Sequence, residues 1–133
     1  MLALALLLCG AGAARAGWGI GLSAASSAQA SAASAPAAPT GVASACTSAL
    51  ATTVVVSWNP VAKATSYTIW KSTSSATSGY AVAATGVTGS AWTSGSLATG
   101  SYWFEASAVT GTNWSSANSS ASAKRTILVA TCS

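Results

Sequence analysis

The sequence has no histidine, and among its 133 residues the one acidic side chain is Glu105. Each absence removes a class of chemistry. Glycoside hydrolysis needs two carboxylates flanking the scissile bond, and only one is present. A serine nucleophile needs a base held by a third group, and neither His nor Asp is available to supply one. A Ser/Lys pairing at Lys63 or Lys71 carries no weight in a chain this rich in serine. One Glu and a few cysteines do not make a zinc or calcium site. No catalytic residue, cofactor site or metal site is therefore expected, and the chain reads as a non-enzyme.

Positive charge is also scarce. Arg15, Lys63, Lys71, Lys124 and Arg125 give a formal net charge of +4, and only the last two are adjacent. Tracking phosphates takes several basic residues on one face, so nucleic acid is not an expected partner. Lys on a solvated strand edge, where it deters edge pairing, accounts for the remainder. With apolar residues at 51% of the chain, this is not the composition of a charged disordered tail. The length suits one domain of roughly 100 to 200 residues.

What is present begins with an apolar N-terminus. Residues 1–16, M-L-A-L-A-L-L-L-C-G-A-G-A-A-R-A, resemble a secretory signal peptide. Two small-x-small cleavage points fit, Ala14-Arg15-Ala16 and Ala28-Gln29-Ala30, so the leader ends at 16 or extends to 30. No basic residue precedes Leu2, which leaves an upstream initiator open. An uncleaved anchor needs about 20 predominantly apolar residues; Arg15 and repeated glycines oppose one, and membrane contact is expected only if the segment is retained. A lipoprotein reading at Cys9 is opposed by Leu8, where a small residue is required. Residues 17–38 form a flexible Ala/Ser-rich linker with too little apolar area to offset ordering its backbone. The remainder, 39–133, is the expected domain, secreted or extracellular, with the cell surface included.

Within it, T-V-V-V-S-W over 53–58 alternates Val54, Val56 and Trp58 against Val55 and Ser57, which is a strand period. Asn59-Pro60 ends it, since proline has no ladder donor and turns the preceding residue away from helix. Six further strands are predicted. They are 39–46, with Pro39 at its start; 66–71, carrying Tyr67 and Ile69 on one face and Trp70 toward the other; 80–84, with Tyr80, Val82 and Ala84 sharing a face; 91–93, presenting Trp92; 102–109; and a last strand within 119–131. Residues 111–118 are predicted as a polar loop carrying Trp114. Seven short strands at intervals of about 8 to 12 residues, without a helical period, predict an all-β antiparallel sandwich.

The residues P-T-G-V at 39–42, V-V-V-S-W-N-P at 54–60, Tyr67-Thr68-Ile69, Leu97 and Gly100 before Tyr102, and Ala106-Ser107-Ala108 resemble a fibronectin type III domain of the bacterial exported kind, over roughly 39–129. The resemblance implies a seven-stranded immunoglobulin-like sandwich with Trp58 and Tyr102 as core markers, beside Tyr67, Trp92 and Leu97. It also implies that the Tyr102 hydroxyl bonds nearby backbone, as a buried phenol requires. The turn from Gly100 is one residue shorter than the commoner spacing, which would place Trp103 at that corner. Glu105 would then face the core, and a lone buried carboxylate costs far more than a shortened turn, so Tyr102 is the corner.

With Cys9 in the leader, Cys46 and Cys132 remain, and an even count in an exported protein favours a bridge. In such a sandwich the first and last strands end at the same pole, which supports the pairing. Two free thiols are the alternative. Trp70 and Trp103 fall at outward positions on neighbouring strands, with Trp114 in the loop beside them, as a candidate binding patch for a protein or a polysaccharide. The competing account has Trp70 and Trp103 packing on each other and on the stems of Lys71 or Lys124. The expected function is a secreted binding or spacer module, with a carbohydrate-binding accessory module as the alternative.

Overall fold

A computed structural model describes residues 34–129 and 131–133. The expected leader, Cys9 and the linker as far as residue 33 lie outside the described residues. In chain order the strands are β1 (Ala43–Cys46), β2 (Val54–Ser57), β3 (Ser66–Ser72), β4 (Tyr80–Val87), β5 (Ala91–Thr93), β6 (Gly100–Thr110), β7 (Trp114–Ser115), β8 (Arg125–Leu128) and β9 (Thr131–Cys132). One sheet has the order β1-β2-β5. The other runs β4-β3-β6-β8-β9, with β7 also paired to β6. All pairings are antiparallel, as the sandwich expectation requires.

The core forms where the alternating apolar positions of the two sheets meet. Val54 and Val56 of β2 and Tyr67 and Ile69 of β3 are buried, as are Tyr102, Phe104, Ala106 and Ala108 of β6 and Ile127 of β8. Trp58, immediately past β2, is buried with its ring 5.1 Å from that of Tyr67. Trp92 and Leu97 are half-buried against this cluster, Trp92 with its ring 6.3 Å from Phe104. The Tyr102 hydroxyl donates to the Ala98 carbonyl at 2.8 Å, and Glu105 faces outward, so the short turn carries Tyr102 inward. Two polar rings need partners here. Tyr67 finds one by accepting from the Val61 amide at 2.8 Å, while the buried Trp58 Nε1 has none among the described residues.

Among the described residues nine strands stand where seven were expected, and the reason lies after β6. Residues 116–124 run beside β6 without a strand register, and three serines make the connection. The amides of Ser116, Ser119 and Ser122 each donate at 2.8 Å, to the carbonyls of Ala108, Ala106 and Phe104 respectively. Their hydroxyls accept from the amides of those same residues at 2.9, 3.0 and 3.2 Å. Each hydroxyl also donates to a following carbonyl, that of Ala117, Ser120 or Ala123. A side-chain oxygen thus stands where a ladder carbonyl would, a competition with regular structure to which serine is suited. β7 thus falls in 111–118, expected as a polar loop, the last strand expected within 119–131 is shortened to β8 by this serine-paired stretch, and the turn after Leu128 adds β9. At the other sheet, Ser94 meets Val54 in the same way, its amide donating to the Val54 carbonyl and its hydroxyl accepting from the Val54 amide.

Two further expectations are corrected. β4 extends to Val87, and Tyr80, Val82 and Ala84 do not share a face. Trp70 pairs with Val82 but Ile69 with Ala84, a register shift that turns Ala84 inward, and a second shift lies between Tyr67 and Ile69. Such bulges bend an edge strand and deter further pairing. β1 starts at Ala43 rather than at Pro39. The chain before it is held by Asn59, whose amide donates to the Thr40 carbonyl at 2.9 Å. Gly41 lies there at φ 63°, where a larger residue is strained, and a Cβ on it would sit 2.7 Å from Asn59 Nδ2 and displace that side chain.

Cys46 of β1 and Cys132 of β9 form the expected disulfide, with a Cα–Cα distance of 5.8 Å and a sequence separation of 86. It joins the outer strand of one sheet to the last strand of the other. Near the same edge the Ser44 hydroxyl donates to the Ala123 carbonyl and accepts from Arg125 Nε, adding a second, polar link between the sheets.

Candidate functional site

The outward surface of β4, β3 and β6 is built by strand alternation. Because successive side chains point to opposite faces, the residues that put Tyr102, Phe104 and Ala106 into the core put Trp103, Glu105 and Ser107 outside. Register then assembles two rows across three strands: Val82, Trp70 and Glu105 in one, Tyr80, Ser72 and Trp103 in the other. Val82 is exposed, while Trp70, Tyr80, Trp103 and Glu105 are half-buried.

Trp70 leans across onto β6, where its Nε1 donates to Ser107 Oγ at 3.1 Å, and Ser107 is buried beneath it. Trp70 and Trp103 are diagonal neighbours. They are not among the ring pairs in contact, which are Trp58–Tyr67, Trp92–Phe104 and Tyr102–Phe104. Between Tyr80 and Trp103, Ser72 is fully buried and organises the β3–β4 turn. Its hydroxyl donates to the Ser78 carbonyl at 2.6 Å and accepts from the Ser74 and Ser75 amides. The Tyr80 hydroxyl donates to the Ala76 carbonyl at 3.2 Å. Burial, and after it the charge of the nearby Glu105 carboxylate, pushes the Tyr80 phenol up to about 12. Glu105 itself is steadied by Asn118, whose Nδ2 donates to Oε2 at 2.9 Å.

Trp114 stands apart from this surface. It belongs to β7 and pairs with Thr110, five residues along β6 from Glu105, or roughly 17 Å at about 3.4 Å per residue. Thr110 also has the parity of the core-facing residues of β6 rather than that of Trp103. Lys71 does not support the outer tryptophans, because its Nζ lies 5.7 Å from the centre of the Tyr102 ring. Tyr80, Val82 and Asn118 were not foreseen as members of the surface. The signal for the first two was the alternation at 80–82, legible once β4 is placed beside β3.

The arrangement offers aromatic faces and one carboxylate. Among the described residues no group of three or more His, Cys, Asp or Glu side chains could hold a metal ion. A shallow groove of about 300 Å³ lies elsewhere, lined by 39–42 with Ser119 and Ser120; its walls carry no charged or aromatic side chain.

Comparison with known proteins adds to this geometry. No family model matches the chain, and no curated protein does. Among solved structures, an Fn3-like protein from Clostridium thermocellum is similar at 31% identity and a TM-score of 0.60, over 67% of this chain and 91% of that one. The titin kinase with its flanking domains is similar at 21% identity and a TM-score of 0.59, over 69% of this chain and 17% of that one. The twitchin kinase region from C. elegans is similar at 23% identity and a TM-score of 0.58, over 72% of this chain and 17% of that one. The last two likenesses show the fold alone.

Proposed function

The chain belongs to the fibronectin type III family, and we propose that it is an exported, non-catalytic binding or spacer module that contacts a protein outside the cell or at its surface. The surface of Trp70, Tyr80, Val82, Trp103 and Glu105 carries this reading. Half-buried tryptophan and tyrosine are among the residue types that dominate protein contacts. The disulfide supports an oxidising compartment, where such bridges persist. A leader over 1–16 or 1–30, a linker to residue 38 and a domain over 39–133 complete the proposal. Among the described residues no helix is long and apolar enough to cross a membrane. The absence of His and Asp supports a non-catalytic role. A polysaccharide-binding role draws less support, because Trp114 lies away from Trp70 and Trp103 and no row of three rings is formed.

The test is retention of the full chain on immobilised surface-protein extract and on insoluble polysaccharides, with Trp70→Ala and Trp103→Ala alongside. Retention by protein that both substitutions abolish is the expected result. Retention by polysaccharide would move the reading to a glycan module, and indifference of every arm would leave a spacer.

A further inference from the structure

The strongest unexplained feature is the environment of Glu105. In a chain of net charge +4 it is the single acid, and it stands half-buried in a surface of aromatic rings. Its neighbours are neutral, Asn118, whose Nδ2 donates to Oε2, and the Tyr80 phenol within hydrogen-bonding reach, while the described cations are engaged or placed elsewhere. Lys71 lies over Tyr102, Arg125 donates to Ser44, and Lys63 lies before β3, its carbonyl accepting from Thr110. Lys124 is exposed and immediately precedes Arg125, the partner of Tyr102 at the start of β8.

We propose that this surface receives an arginine of a partner protein, with the Glu105 carboxylate as the counter-charge and the rings of Trp103, Trp70 and Tyr80 around the guanidinium. The inference rests on the binding role argued above and names the chemistry of the partner. Three observations favour a guanidinium over a sugar. A partly desolvated carboxylate without a cation gains most from one supplied across an interface. Aromatic faces attract cations, and the planar guanidinium both stacks on rings and bonds carboxylates. A sugar needs free donors and acceptors around the ring, yet the Trp70 indole N–H is committed to Ser107 and the Tyr80 hydroxyl to Ala76. The Tyr80 phenol is raised first by burial and then by the Glu105 carboxylate, which places the two groups close together on this face.

The experiment is a titration of the ¹⁵N-labelled full chain with acetyl-Gly-Arg-Gly-Arg-Gly-amide and with the same peptide carrying citrulline, a neutral isostere, for arginine. The expected result is movement of the indole N–H signals of Trp70 and Trp103 and of the Asn118 side-chain amide by the arginine peptide. Replacing arginine by citrulline, or Glu105→Gln, weakens the response by about tenfold, as loss of a charge-assisted contact does. Trp103→Ala, an outward position whose loss spares the core, also weakens it. Equal response to both peptides, or no movement at millimolar peptide, overturns the inference. Chito- or cello-oligosaccharides that move the same indoles regardless of Glu105→Gln would overturn it and leave a binding module of another kind. A protein partner retained through other residues would also overturn it and leave the binding role standing, whereas indifference to peptide, sugar and surface protein alike would bring down both.

Discussion

β6 is held on its two flanks by different means. Toward β3 the pairing runs without interruption from Ser66–Val109 to Ser72–Trp103, one residue against one, and the backbone supplies every partner. On the other flank the chain advances three residues, from Ser116 to Ser119 to Ser122, for every two of β6, and hydroxyls stand in for the carbonyls that the mismatch removes. Both arrangements satisfy the buried backbone groups of β6, which is the requirement that matters. They differ in what they ask of the sequence. A ladder tolerates many side chains at each position, whereas the three-to-two match depends on a hydroxyl at residues 116, 119 and 122.

The disulfide pins the serine-paired side through β9, and its loss has the largest expected effect. Reducing it, or replacing Cys46 and Cys132 by alanine, removes up to about 4 to 5 kcal/mol in the chain-entropy account. By strand alternation the Phe104, Ala106 and Ala108 amides face the serines while those of Trp103, Glu105 and Ser107 face β3. Hydrogen exchange after reduction is therefore expected to speed up first at the even-numbered amides. Equal acceleration of both sets would show that the two flanks open together. Intact-mass analysis of the unreduced protein should show the loss of two hydrogens.

A smaller change sharpens the contrast within the serine flank itself. Ser119→Ala orphans the buried Ala106 amide and should cost about 1 to 3 kcal/mol by chemical denaturation. Ser116→Ala, at a half-buried position that water reaches, should cost less. Matching losses for the two would mean that the hydroxyls act through something other than replacing a carbonyl.

The smallest effect belongs to the far edge of the same sheet. The Tyr80 phenol is raised from 10.0 to about 12, so the folded protein favours its neutral form. The stability this provides is complete below about pH 10 and is lost as pH rises toward about 12. Denaturation midpoints at about pH 8 and pH 11 should converge in Tyr80→Phe relative to the parent, and the ultraviolet titration of that phenol should lag behind an exposed tyrosine.

Much of the fold was legible because it is written in period two. Val54, Val56 and Trp58 could face inward only together, and the cost of burying Glu105 was enough to choose Tyr102 over Trp103. The final strand was less legible, since alternation carries no information about a segment whose partners are its own hydroxyls; the three-residue serine spacing was the available signal. β4 misled through its bulges, which change parity between Val82 and Ala84 without any change in composition. For the candidate surface, Trp70 and Trp103 followed from alternation. Trp114 did not, because it pairs with Thr110 at the end of β6 remote from Trp103, and pairing partners are a tertiary fact.

The covalent link also has a mechanical consequence. Since Cys132 is bonded to Cys46, a pull applied at Ser133 and at residues before Cys46 is relayed through the sulfur bridge and bypasses everything between the two cysteines. Only the residues ahead of Cys46, including most of β1, can peel under such a load, at roughly 3.4 Å of slack per residue released. Placed between two tethered partners, the domain would yield only that N-terminal slack and hold fast between the two cysteines.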